Sequence, residues 1–140
     1  MNSPSDVARA LLRKATDDRY VAQSLARDAN APAWILGFHA EQAVEKALKA
    51  VLAHRSVAFP RTHNLAVLLE LLTRSGLALP PDADDLARLI PFGVMARYED
   101  ALGEADIPID STWAVDAAMR TVDWAWRVVS PDNTTRPNGQ

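Results

Sequence analysis

Apolar residues recur at i, i+3, i+4 and i+7 through most of the chain, and almost no stretch alternates with the period of a strand. The spacing predicts a first helix over Pro4 to Asn30: Ser3 stands as N-cap, Asp6 three residues on, Pro4 at the first helical position, and Val7, Leu11, Ala15, Ala22 and Leu25 as the buried row. Ala31-Pro32 ends it. A second helix, Ala33 to His54, is the richest in alanine and leucine; Gly37 inside it implies close packing, since glycine there costs about 1 kcal/mol against alanine. Thr62 is the expected cap of a third helix with Leu65, Leu68, Leu69 and Leu72 buried and Gly76 just past its end. A fourth starts near Asp82, carries Leu86, Leu89, Ile90 and Met95 toward Tyr98, and is kinked or split at Pro91. A loop from Gly103 to Ser111 leads to the last helix, Thr112 to Val129, with Trp113, Val115, Ala118, Val122, Ala125 and Val129 inside. Such stripes bury only against each other, which predicts an all-α, up-and-down antiparallel bundle of four to five helices.

A length of 140 residues fits one domain, expected over 1–130, with 131–140 as a disordered tail that holds two prolines and no aliphatic anchor. Nearly half the residues are apolar and 24% are charged, so the chain is no disordered polymer. Without cysteine there are no disulfides, thiolate metal sites, iron–sulfur clusters or thiol nucleophile. No apolar run approaches the ~20 residues of a membrane span and no secretory segment follows Met1, which makes the cytoplasm the expected location and a membrane partner unexpected. A net charge of -3 argues against a general polyanion binder, although a local basic patch is still open.

The helical wheel of the second helix divides it into two faces. Leu36, Ala40, Ala43, Val44, Ala47 and Val51 form a smooth apolar side, and the opposite side carries Trp34, Phe38, Gln42, Glu45, Lys46, Lys49 and Leu52. Large apolar residues at both ends of that second side imply cover there, with a polar band between them. The band is either a solvated face laced by Glu41, Glu45 and Lys49, with Glu45–Lys49 a favourable i,i+4 pair, or a sheltered groove or dimer seam. His39 falls beside Gln42 and Lys46, placed to donate to a phosphate or to bond another helix. Arg61 and His63 precede a helix N-terminus, where amides and dipole favour an anion; a loop histidine bonded to nearby backbone is the alternative. His54-Arg55 reads as favourable charge at a helix C-terminus, and Asp82, Asp84 and Asp85 as favourable charge at a helix start. Glu99, Asp100, Glu104 and Asp106 read as a solvated acidic turn, with a divalent-cation site as the alternative. Phosphate-loop, zincin, nucleophile-elbow and calcium-loop motifs are absent, and three scattered histidines show no metal-ligand spacing, so neither metal nor cofactor is expected.

The run Phe38-His39-Ala40-Glu41-Gln42-Ala43-Val44-Glu45-Lys46-Ala47-Leu48-Lys49-Ala50-Val51-Leu52 resembles the central helix of HEPN domains (higher eukaryotes and prokaryotes nucleotide-binding). The resemblance continues through Phe59-Pro60-Arg61-Thr62-His63-Asn64-Leu65, the Arg97-Tyr98 pair and the last helix, covering roughly Asp6 to Val129. It implies a bundle of four or five helices, a homodimer, nucleotide or RNA binding, and a minimal nucleotidyltransferase partner in a two-component, toxin–antitoxin-like system. On that resemblance the nucleotide- or phosphate-binding candidates are Gln42, Lys46, Lys49, Arg61, His63, Arg97 and Tyr98, and the catalytic candidates His39, His63 and Arg97. The ribonuclease branch carries arginine, four to six residues, then histidine. Here Arg55 precedes His63 by eight positions and no histidine follows Arg97, so a ribonuclease of the usual type is not expected. A non-standard Arg/His ribonuclease and a purely structural dimerisation adaptor are the alternatives to a binding module.

Overall fold

The computed structural model describes residues 2–95 and 108–130. Among these residues the only regular structure is helical: α1 (Pro4–Ala26), α2 (Ala33–His54), α3 (Leu65–Arg74), a 3-10 turn (Leu86–Leu89), α4 (Ile90–Met95) and α5 (Ser111–Val129). The expected disordered tail, Arg97-Tyr98 and the acidic turn from Glu99 to Asp106 lie outside the described residues.

A reciprocal capping box opens α1, with the Ser3 hydroxyl accepting from Asp6 N–H and the Asp6 carboxylate from Ser3 N–H. The helix stops at Ala26, four residues short of the expected Asn30. Asp28 breaks it, because its side chain accepts from Asn30 N–H and its carbonyl from Ala31 N–H, forming a competing local turn. The buried row is also rotated from the expected one. Ala8, Leu12, Ala15 and Ala22 are enclosed, Leu11 and Leu25 are half-buried, and Val7 is exposed. Three alanines seven residues apart let α2 approach closely, which outweighs the burial that a row through Val7 would have offered.

The observed α2 has the expected limits, and Leu36, Ala40, Ala43, Val44, Ala47 and Val51 are all buried. It is the central rod: α1 returns antiparallel along it, α5 packs against both, and α3 and α4 cover its remaining side. Its end is a Schellman turn, with Val57 N–H donating to Leu52 C=O and Ser56 at φ 58. The same motif closes α3 through Gly76 at φ 72 and Leu77 N–H to Leu72 C=O. Asn64, not Thr62, caps α3, its side chain accepting from Ala66 N–H; the Thr62 hydroxyl instead accepts from Asn64 N–H.

The expected fourth helix is split into the 3-10 turn and α4. Pro91 is the second residue of α4, where a missing donor breaks no intrahelical bond. Asp82 does not act as charge at a helix start: it adopts φ 64 in a turn and accepts from Arg120 Nε of α5 at 2.7 Å. The α5 helix starts at Ser111, capped by Asp110, and runs antiparallel to α1. Trp126 meets Thr16 at 3.1 Å, Asp123 meets Arg19 at 2.8 Å and Met119 meets Gln23 at 3.3 Å. Trp113 is only half-buried, beneath the Arg88 guanidinium at 4.2 Å, whereas Thr121 and Trp124 join the core.

Candidate functional site

The second side of α2 is neither bare nor solvated. Glu41 is fully buried, Glu45 is 3% exposed and Gln42 is 9% exposed. Carboxylates at such depth need partners, because an ionised group taken out of water without compensation costs several kcal/mol. The neighbouring helices and the polar row supply them.

Asp18 of α1 reaches across and accepts from two groups at once, Lys46 Nζ at 2.6 Å on one oxygen and His39 Nδ1 at 2.9 Å on the other. Lys46 also donates to the Gln42 carbonyl oxygen at 3.3 Å. The Gln42 amide then donates to Glu41 Oε1 at 2.8 Å and, at the limit of bonding distance, to Glu45 Oε1 at 3.5 Å. Glu45 receives Lys49 Nζ at 2.8 Å and lies 3.1 Å from His63 Nδ1. The Lys49 ammonium stands 5.8 Å from the Phe59 ring centroid, within cation–π range. One hydrogen-bonded chain thus runs from His39 to His63, three carboxylates facing two ammonium groups and two imidazoles.

Two close approaches seat this chain. A Cβ on Gly93 of α4 would fall 2.7 Å from the Glu41 carboxyl carbon, and one on Gly37 would fall 2.5 Å from the Phe92 ring. Bare backbone at both positions lets α4 lie against α2 and close the band from above. Trp34, Ile35 and Phe38 stay half-exposed at its α1-loop end, with Phe38 edge-on to His39 at 5.2 Å between ring centroids.

Gln42, Lys46, Lys49, His39 and His63 are therefore brought together, and the Glu45–Lys49 pair expected on a solvated face is a sheltered one. Arg61 is exposed and forms no ion pair among the described residues. His63 Nδ1 lies 3.1 Å from Glu45 Oε2, and in the first turn of α3 the Asn64 side chain accepts from the Ala66 amide. Arg97 and Tyr98 lie outside the described residues. Asp18 carries no local signal in the sequence, standing 28 residues from Lys46 on another helix.

At the far end of α2, His54 behaves differently from a dipole-favoured cation. Burial, then the Arg55 and Arg9 guanidiniums, hold it below its ordinary 6.5, with Ser5 Oγ 3.4 Å from Nδ1. No group of three His, Cys, Asp or Glu side chains among the described residues has metal-binding geometry, and no described helix is long and apolar enough to cross a membrane.

The family model described as HEPN domain matches residues 8–129, most of the chain, from the first turns of α1 to the end of α5. No curated protein matches, and no solved structure matches.

Proposed function

The chain belongs to the HEPN domain family, and from that premise we propose that it is a binding and docking module whose α2 band holds a nucleotide or an RNA phosphate and faces a protein partner. Membership supports a nucleotide- or RNA-related function in general. The finer reading is carried by the pairing of half-exposed Trp34 and Phe38 with two positioned ammonium groups on one helix face. An aromatic flank suits a base. Lys46 and Lys49 retain N–H groups beyond those given to Asp18, Gln42 and Glu45, and those donors suit phosphate oxygens. Because the carboxylates compensate the lysine charge, affinity here would come from directed hydrogen bonds and stacking rather than bulk attraction.

In this reading the chain is a cytoplasmic homodimer, its partner is a minimal nucleotidyltransferase, and the two form a toxin–antitoxin-like system. Trp34, Ile35 and Phe38, half-exposed beside the band, support a protein contact there. Calorimetric titration with ATP, other nucleotides and short RNA tests the ligand. Heat that Lys49→Ala or Arg97→Ala removes supports it; no heat with any of them removes it. Sedimentation at several concentrations tests the dimer.

One observation favours a second reading, an RNA-cleaving toxin of non-standard type. His39 and His63 are each anchored through Nδ1 by a sheltered carboxylate, Asp18 and Glu45, which is how an imidazole is oriented for acid–base work. Growth arrest on expression, relieved by His39→Ala or His63→Ala, would support it; harmless expression and intact RNA would exclude it.

A further inference from the structure

The two ends of the hydrogen-bonded chain on α2 are not equivalent, and the His39 end carries a nucleophile that nucleotide binding does not use. An ionised carboxylate only accepts, so the 2.9 Å contact with Asp18 Oδ1 requires the His39 proton on Nδ1. The ring lone pair is then on Nε2. Among the described residues nothing bonds Nε2, and the atom is open to solvent on a side chain 26% exposed.

An ammonium stands at the same carboxylate. Lys46, two turns on and on the same side of α2, donates to the other Asp18 oxygen at 2.6 Å. Gln42 Oε1 takes a second Lys46 proton at 3.3 Å, which leaves the third for an incoming group. His63 lacks this order: its Nδ1 straddles both Glu45 oxygens, at 3.1 and 3.2 Å, and Lys49 competes for one of them. His54 has the Ser5 hydroxyl at 3.4 Å in place of a carboxylate.

An oriented imidazole lone pair near a cation suits few electrophiles. A metal ion would need further ligands, and no group of three His, Cys, Asp or Glu among the described residues has that geometry. An acyl group would need N–H donors for its oxyanion, and the amides around His39 are spent inside α2. A phosphoryl group asks for in-line access and for positive charge at its equatorial oxygens, which the open Nε2 and Lys46 supply. We propose that His39 is a phosphoryl-acceptor site, taking the group onto Nε2 from an acyl phosphate or from the γ position of ATP. The Nε2 lone pair forms the N–P bond as the P–O bond to the leaving group breaks. That bond's electron pair departs with the carboxylate or with ADP, and the Nδ1 proton stays on the ring, held by Asp18. Asp18 is thus a positioning residue. The step does not depend on the α2 band holding a nucleotide, and labelling and nucleotide heat are separate measurements either of which can fail alone.

The test is incubation of the full chain with acetyl phosphate, or with ATP and magnesium, followed by phosphorus NMR and by peptide mapping at alkaline pH. One acid-labile, alkali-stable phosphate is expected on His39 Nε2. It should form about tenfold or more faster than on His54, on His63 or on the urea-unfolded chain, the worth of one hydrogen bond to a charged group. Lys46→Met should slow it by a similar factor. Asp18→Asn should slow it and move part of the label to Nδ1, and Asp18→Glu should restore Nε2. Lys46→Met keeps the Asp18–His39 contact, so it decides the matter if Asp18→Asn unfolds. His54→Gln should label as the parent chain does. Labelling by one donor alone supports the proposal and identifies the donor. No label from either donor, label spread evenly over the three histidines, an acid-stable phosphate, or full Nε2 labelling of both Lys46→Met and Asp18→Asn each overturn it.

Discussion

Gly37 and Phe92 meet through the space that a side chain would fill: the ring of one lies 2.5 Å from where a Cβ of the other would stand. Alanine is the better helix former by about 1 kcal/mol, yet here its methyl must push the ring and with it α4. Gly37→Ala is therefore expected to destabilise the protein by about 1–3 kcal/mol, the usual range for overpacking. Urea unfolding checks the sign, and a gain in stability would show that α4 is not docked on α2 as described.

Glu45 is the deeper partner in its cluster, 3% exposed, while Lys49 and His63 both reach toward water. Glu45→Gln removes the counter-ion of both and should cost about 1–3 kcal/mol. Lys49→Met should cost less, because His63 and Gln42 still touch the carboxylate that remains. Denaturant midpoints for the two variants decide the order.

Ser56 occupies the left-handed position of the Schellman turn at φ 58, where an L side chain is strained and glycine is not. Ser56→Gly is expected to stabilise by about 0.5–1 kcal/mol, after allowing for the looser unfolded chain. A raised midpoint with an unchanged m-value would bear this out.

His54 binds its proton less readily folded than unfolded, because of burial and the two arginines beside it. Between its folded value and 6.5 the unfolded chain holds more protons, so stability rises with pH across that window. This contribution is present above 6.5 and is lost as pH falls through the folded value. His54→Gln should remove that part of the slope, seen as a smaller difference between thermal midpoints at pH 7 and pH 5. Asp6, held below 3.8 by the Ser3 N–H and hydroxyl, acts in the same direction at lower pH.

What the residue pattern reveals follows from what is local. The limits of α2, the glycine ending α3 and the split at Pro91 rest on neighbours within a turn or two, and the structure has them. The end of α1 is not legible in this way, because Asp28 looks like any polar residue until its side chain bonds Asn30. The polar band is legible as a row on α2, but its partners are not. Asp18 and His63 come from α1 and from the loop before α3, and only folding brings them to Lys46 and Glu45. Pattern alone does not tell a groove from a wet surface, since that depends on α4 closing over Glu41 without a side chain at Gly93.

The alanines of α2 also govern how such a chain can drift. Ala40, Ala43, Ala47 and Ala50 have no exposed surface, so the distance from the rod to its neighbours is set by backbone thickness. Most single-base changes from an alanine codon introduce a bulkier, charged or helix-breaking residue, and each would act as a wedge. Sequence change in descendants of this molecule should therefore collect on the outer flanks, where recognition can be retuned, while the axis stays nearly invariant.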